Sequence, residues 1–432
     1  MSVSTKPYIG TRDFYPEDMA FRSWMFGIQR RVCERYGYVE YSAPTIEPLS
    51  LYQAKSSEEI VNEQIYRFTD RGEREVAIRP EMTPTLARMV AAKSAQMIRP
   101  LRWYSIGNFM RYERPGRGRL REFFQLNADL IGSASPGADA EILTLAADLL
   151  FEYGARKEDF TLRYSDRRLF ESYLKNVPVE RLRSIGRLLD KREKIGPEEF
   201  ERQLAVECPD RAEAQKVQRY LALEADELVG LTEKGELDAA AVAHLDAVRK
   251  LCEESMPGVL KFDPGIVRGF DYYTGLIFEI NDNDPENRRA LFGGGRYDRL
   301  LGLFGKEQIP AVGFGMGDVT LEQFIESRGL KPSGLSDKTG VFVALFSESM
   351  RGRCAAIAGE LRKQGIQAEV SLDATGKFGK QLELAERKNH RYVLIYGEDE
   401  AKKGLVRIKD LKSGEQKDIE KANLVGFLKS HL

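Results

Sequence analysis

The sequence predicts an α+β protein, a strand-rich core interrupted by a helical insertion and followed by a small α/β unit. Three observations predict it. Residues 66–132 read mostly as strands (EVAIRP, LRWYSIG, FFQLNADLIG), residues 166–256 become charged and rich in Leu and Ala with few β-branched runs, and residues 340–432 alternate β-α-β-α-β. The expected organisation is therefore 1–165 as the first part of the core, 166–256 as the insertion, 257–330 as the second part of the core, 331–339 as a linker and 340–432 as a separate domain.

Taken in order, Phe21, Trp24, Met25, Ile28 and Val32 fall at helical spacing, and Gly37 stands where a left-handed cap ends such a helix. A strand from Tyr38 to Tyr41 runs on to Pro44. A helix is expected from Thr83. Glu81 and Thr83 put a carboxylate and a hydroxyl at its start, where capping is the plain role and ligand binding the alternative. Asp139, after Pro136, is expected to cap a helix carrying Ile142, Leu143, Ala146, Leu149 and Leu150. Strand signals return at YYTGLIFEI, and GLKPSGLSDKTG (Gly329 to Gly340) has the composition of a linker. The alternation beyond it predicts a small parallel sheet.

The chain has 432 residues, with 66 Lys and Arg against 67 Asp and Glu, so a net-basic nucleic-acid binder is excluded and any polyanion must meet a local patch. With 42% hydrophobic and 10% aromatic residues it is not a disordered chain. No apolar run reaches the membrane-spanning length of about 18 residues, and the N-terminus lacks a signal-like hydrophobic run. The four cysteines are widely spaced without any C-x-x-C, which argues against disulfides or a thiolate zinc site and for a reduced cytoplasm. His244, His390 and His431 have no second ligand at helical spacing, so they are expected to be structural, and no metal site is expected.

Four segments could carry chemistry. Arg111 to Gln125 packs five arginines into eleven residues around a Pro-Gly turn, which suits a strand-loop-strand clamp for a polyphosphate or a nucleic-acid end. The same segment would also fit a solvated basic hairpin. Arg268-Gly-Phe-Asp-Tyr272-Tyr273-Thr-Gly275 stands at the mouth of an apolar strand; in a strand Tyr272 and Tyr273 face opposite sides, so at most one lines the pocket and the other is expected in the core. Gly293-Gly-Gly-Arg296-Tyr297-Asp298 matches neither phosphate-loop pattern, and a tight turn accounts for it equally well. The fourth is Glu81 to Thr83.

In their joint order, GTRDFYPED, RPEMT, FMRYERPGRGRLREFFQ, VRGFDYYTG and GGGRYDRL resemble the class II aminoacyl-tRNA synthetases, and among them the histidyl-tRNA synthetase family. The resemblance implies a class II antiparallel-sheet core, a dimer-forming first motif in the helix-strand-Pro44 unit, and an anticodon-binding domain at 340–432. It implies activation of histidine with ATP and Mg²⁺, then transfer to the 3′ end of tRNA-His by a cytoplasmic homodimer with no membrane partner. Arg111 would hold the α-phosphate, Glu113 would lie near the adenine, Arg119 would reach the outer phosphates, and Arg268 would bridge the histidine carboxylate and the α-phosphate. Glu81, Thr83 and Gln125 would take the α-ammonium; Asp129, Tyr273 and Tyr297 would read the imidazole. Two positions depart from the family pattern. Thr320 stands where the third motif ordinarily has an ATP-contacting arginine, so Arg119 and a neighbour are expected to compensate, and Asp129 stands where a glutamate is usual. A non-catalytic paralogue like the regulatory subunit of ATP phosphoribosyltransferase is the other reading, although such paralogues typically lack the anticodon domain.

Overall fold

The structure, a computed structural model, describes residues 3–53, 60–267, 272–287, 290–299, 301–304, 308–335, 338–375 and 377–432. It divides into two units, Met1–Asp13 with Arg22–Lys331, and Phe14–Phe21 with Pro332–Leu432. Helix α1 (Pro16–Arg35) begins in the second set and continues in the first, where Met25, Ile28 and Val32 are buried. Gly37, at φ +76°, lies just beyond its end as the spacing predicts.

In the first unit β1 (Val39–Glu40), β2 (Ile46–Pro48), α2 (Leu49–Gln53), β3 (Tyr66–Thr69), β4 (Glu75–Ile78) and α3 (Thr83–Lys93) precede a long hairpin, β5 (Leu101–Met110) and β6 (Glu122–Ile131). Then come α4 (Pro136–Glu152) and β7 (Phe160–Asp166). Six helices follow: α5 (Arg167–Tyr173), α6 (Val179–Ile195), α7 (Pro197–Glu207), α8 (Arg211–Leu221), α9 (Leu228–Glu233) and α10 (Ala239–Ser255). The chain returns to strand in β8 (Leu260–Phe262), β9 (Leu276–Asp282), β10 (Ala290–Arg296) and β11 (Ala311–Gly317), and α11 (Asp318–Ser327) completes the unit.

These strands form an eight-stranded sheet in the order β1-β5-β6-β11-β10-β9-β7-β8. The pairs from β5 across to β7 are antiparallel, while β1 on β5 and β8 on β7 are parallel. Helix α4 is the apolar backing of this sheet. Its Ile142, Leu143, Leu145, Leu149 and Leu150 are wholly buried, each worth about 1.5–3 kcal/mol relative to exposure. A separate three-stranded sheet runs β2-β4-β3.

The second unit contains β12 (Lys338–Ala344), α12 (Arg351–Lys363), β13 (Ala368–Val370), α13 (Phe378–Arg387), β14 (His390–Ile395), α14 (Glu398–Lys403), β15 (Leu405–Asp410), β16 (Gln416–Glu420) and α15 (Leu424–His431). Its sheet is mixed rather than parallel: β13-β12-β14 are parallel, and β15 and β16 extend it antiparallel. Half or more of the residues in those two strands, LVRIKD and QKDIE, are charged, so their apolar signal is weak. The molecule is thus α+β, with a largely antiparallel core sheet, a helical stretch between β7 and β8, and an α/β C-terminal unit.

Three local expectations are corrected. Residues Gly293 to Arg296 form the interior of β10, not a turn; a Cβ on Gly294 would lie 2.1 Å from the Gly313 carbonyl oxygen, so close strand approach explains the glycine. Asp139 is not a cap, since Ser135 holds the N-cap position of α4. Asp139 is instead fully buried against Arg296 and His244. Thr83 opens α3 without side-chain capping, and Pro84 in the first turn accounts for the start.

Candidate active site

On a β-strand, residues two apart share a face. Gln125, Asn127 and Asp129 of β6 are such a set, and their register partners on β11 are Gly317, Gly315 and Gly313. A Cβ on Gly313 would lie 2.2 Å from an Asp129 carboxylate oxygen, so the glycine leaves the space that this side chain fills. The result is a small polar pocket of about 60 Å³ over the sheet, with Glu81, Thr83, Arg111, Gln125, Asn127, Asp129, Tyr272, Tyr273 and Tyr297 in its lining.

The polar groups there are held in place by one another. Tyr297 donates to Asp129 Oδ1 at 2.5 Å, Tyr272 donates to Glu81 Oε2 at 3.0 Å, and Arg111 Nε donates to the Pro80 carbonyl at 2.9 Å. Both tyrosines of the YY pair reach the pocket, because β9 starts only at Leu276 and the strand alternation does not apply to them. The loop they occupy is fixed by α5: the Arg167 backbone N–H donates to Gly275 O at 3.0 Å and its guanidinium to Tyr273 O at 3.3 Å.

Burial raises the Asp129 carboxyl to about 7, with the Tyr297 hydrogen bond opposing the shift. The native protein therefore holds this proton more tightly than the unfolded chain does. Stability from this group is full below the ordinary carboxylate range and is lost as pH climbs towards 7. Asp129→Asn should accordingly melt higher than the parent at pH 8, with the difference gone by about pH 4, while its histidine requirement rises. Thermal melts of parent and variant at the two pH values check this; an advantage over the parent that is no greater at pH 8 than at pH 4 would contradict it.

Beside this pocket lies a cleft of about 1520 Å³ that shares Arg111, Gln125, Tyr272, Tyr273, Gly293 and Gly315 with it. Glu113, Arg119, Phe123, Glu279, Arg299 and Thr320 also line the cleft. In the hairpin loop Arg119 pairs with Glu113 at 3.2 Å and remains 47% exposed, open to a ligand. Arg121 is a different case. It sits 4.0 Å over the Tyr112 ring and donates to Tyr8 Oη and Glu113 O, so it holds the loop rather than a ligand. Thr320 Oγ1 donates to Leu291 O at 2.7 Å, joining the first turn of α11 to β10. The neighbouring Asp318 accepts from the Phe124 N–H at 2.9 Å and from Arg12.

Arg268 to Asp271 lie outside the described residues. The other predicted site residues are all placed: Glu81, Thr83, Asp129 and Tyr297 on the small pocket, Glu113 and Arg119 on the cleft, and Arg111, Gln125 and Tyr273 on both. Sequence reasoning missed Asn127, which looks like any polar strand residue, and the α6 face bearing Arg183, Arg187 and Lys191. The four-residue spacing of those cations was visible, but not which cavity they would line. Among the described residues no group of three or more His, Cys, Asp or Glu side chains could hold a metal ion, and no helix is long and apolar enough to cross a membrane.

The family model for histidyl-tRNA synthetase matches residues 10–320, and that for an anticodon binding domain matches residues 340–431. A histidine–tRNA ligase of Leptospira biflexa is 46% identical over 96% of this chain and 95% of its own, and one of Opitutus terrae is 37% identical over 97% of each. The fold is shared by the solved histidyl-tRNA synthetase of Nostoc sp. PCC 7120, at TM-score 0.83 and 24% identity across all of both chains. With sequence matches over nearly its whole length, the chain belongs to the histidyl-tRNA synthetase family.

Proposed function

We propose that the chain works as an ATP-dependent histidine–tRNA ligase, with histidine in the small pocket, ATP in the cleft and Arg111 at the wall between them. The shared wall is the observation that carries this reading. Attack of the histidine carboxylate on the α-phosphate must occur where the two cavities meet, and Arg111 lines both. Negative charge grows on the transferring phosphorus centre, so positioned cations supply the catalysis, with no side-chain base needed. Arg111 holds the α-phosphate, Arg119 reaches the outer phosphates, Glu113 lies by the adenine, and Arg268 bridges the carboxylate and the α-phosphate. Glu81, Thr83 and Gln125 receive the α-ammonium, and Asp129, Tyr273 and Tyr297 face the imidazole. A site built of paired polar groups rejects analogues that cannot complete the pairing.

Mg²⁺ enters as part of the ATP substrate. Such ions commonly use one or two carboxylates besides the phosphates, and Glu279 lines the cleft. We assign residues 1–165 and 257–330 to the catalytic core, 166–256 to an insertion within it, 331–339 to a linker, and 340–432 to anticodon binding, where stacking and hydrogen bonding to splayed bases are the usual physics. The homodimer would form through the first-motif region, where Val39 and Ile46 are exposed. The four cysteines are free and buried, in keeping with a reduced cytoplasm.

Histidine-dependent ATP–pyrophosphate exchange tests the reading. Robust exchange supports it, and tight histidine binding without exchange would favour a histidine sensor. A chain ending at Gly334 should retain exchange and charge tRNA-His poorly. Equal charging by the two chains would remove the anticodon role from residues 340–432.

A further inference from the structure

The segment before helix α1 is held by the β5–β6 hairpin rather than by burial. Tyr8 is 53% and Ile9 61% exposed, yet the Gly10 carbonyl accepts from the backbone N–H groups of Arg121 at 2.8 Å and Glu122 at 3.1 Å. Glu122 faces Met110 in the last register pair of β5 and β6, so these bonds sit where the hairpin leaves the sheet and its loop begins. Gly10 has φ +80°, and a Cβ there would lie 2.8 Å from Arg121 Cγ and 3.0 Å from Pro115 Cγ, so a glycine is what lets the two chains approach this closely. Beyond Pro115 the loop closes on itself: the Gly116 N–H donates to Arg119 O at 3.0 Å and the Arg119 N–H to Gly116 O at 2.9 Å. Two residues after Gly10, the Arg12 guanidinium reaches α11, with Asp318 at 2.5 Å and Glu322 at 3.0 Å. Asp318 in turn accepts from the Phe124 N–H of β6.

We propose that residues 8–12 are a strap that positions the hairpin loop for ATP, with Gly10 and Arg12 as its positioning residues. This rests on the ligase reading above, which puts the outer phosphates by Arg119 and the adenine by Glu113 and gives the chain before α1 no role. Among the described residues, those lining the two cavities do not include Tyr8, Gly10 or Arg12, so the strap acts through the loop. A loop that leaves the sheet at Met110 and returns at Glu122 would otherwise have to be ordered by its ligand, at a cost in affinity. The strap fixes it beforehand. Tyr8 and Gly10 hold its returning arm, Pro115 packs on Gly10 just before the turn that presents Arg119, and Arg12 anchors the strap to α11. The histidine side is fixed separately: Arg111 Nε is held by Pro80 O, Asp129 by Tyr297 and Glu81 by Tyr272, with no strap residue among these partners. A loosened strap is therefore felt by ATP and not by histidine.

The test is histidine-dependent pyrophosphate exchange by the full chain, with the ATP and histidine KM measured separately and thermal melts alongside. Gly10→Ala should lower kcat/KM for ATP by about ten- to a hundredfold, the scale of loss when a binding group is misplaced by about an ångström, and leave the histidine KM unchanged. Its melting point should stay near that of the parent, because Arg121 keeps its stack on Tyr112 and its bond to Glu113 O. Arg12→Ala should show the same split with a lower melting point, since Asp318, whose side chain is 3% exposed, loses its cation. Arg12→Lys keeps a cation there and should restore the melting point and part of the kcat/KM for ATP. A Gly10→Ala enzyme with the parent's kcat/KM for ATP, or one whose histidine KM rises as much as its ATP KM, would overturn the strap and leave the ligase reading intact. Absence of any histidine-dependent exchange by the parent would overturn both.

Discussion

Arg111→Ala should lower histidine-dependent pyrophosphate exchange by about a hundred- to a thousandfold, the usual effect of removing one preorganised donor from a developing negative charge. Under the proposed reading the side chain is already oriented for that task. Its Nε is spent on the Pro80 carbonyl at 2.9 Å, and its guanidinium lies 5.3 Å from the Phe123 ring centroid. Both contacts use one edge and one face of a planar group, and the residue lines both cavities. Because the contacts anchor the guanidinium rather than the fold, the variant should stay folded, with a melting point near that of the parent. Arg111→Lys should recover little, since an ammonium cannot hold Pro80 and present a second donor in the same fixed fork. Near-normal exchange by Arg111→Ala would remove the residue from the chemistry. Arg121→Ala should behave in the opposite way, because its stacking on Tyr112 and its bonds to Tyr8 and Glu113 shape the loop; its first symptom would be lost stability.

That contrast shows what a sequence can and cannot reveal. Five arginines in one hairpin announce an anion site, but only packing tells Arg111, pointed into two cavities, from Arg121, folded back on tyrosines. The β5–β6 hairpin itself was legible because apolar residues recur along two runs joined by a Pro-Gly turn. Helices α1 and α4 were legible from their apolar spacing. The misreadings share one cause. Whether Tyr272 and Tyr273 alternate depends on where β9 begins, and whether three glycines make a turn or a strand depends on how near the Gly313 and Phe278 carbonyls come. Both are tertiary facts. Asn127 escaped notice for the related reason that a cavity lining is defined by what surrounds it. Thr320, flagged as a lost cation, proves to have work of its own in joining α11 to β10.

The second large effect is expected on stability, at Arg296. Asp139 is wholly buried and Arg296 is 3% exposed; Arg296 Nε lies 3.1 and 3.2 Å from the two Asp139 oxygens, and Nη1 reaches Ser133 O and Asp298 Oδ1, both at 3.1 Å. His244 of α10 stands 2.5 Å from Asp139, so one carboxylate ties the helical stretch to α4 and β10. Removing one partner of such a pair leaves a buried charge uncompensated, which costs about 3–5 kcal/mol, whereas replacing both partners with apolar residues is often nearly neutral. Arg296→Met should therefore lose about that much in urea denaturation, and Arg296→Met combined with Asp139→Leu should regain most of it. The activity should follow the same pattern. The Arg296 carbonyl accepts from the Thr274 N–H at 2.7 Å, the next residue is Tyr297, which holds Asp129, and Thr274 follows Tyr273. A displaced Arg296 moves both walls of the small pocket, so under the proposed reading it should raise the histidine KM more than the ATP KM. If the single variant were as stable as the parent, the Asp139 charge would have to be satisfied by His244 alone, and the arginine of the GGGRYD segment would need another explanation.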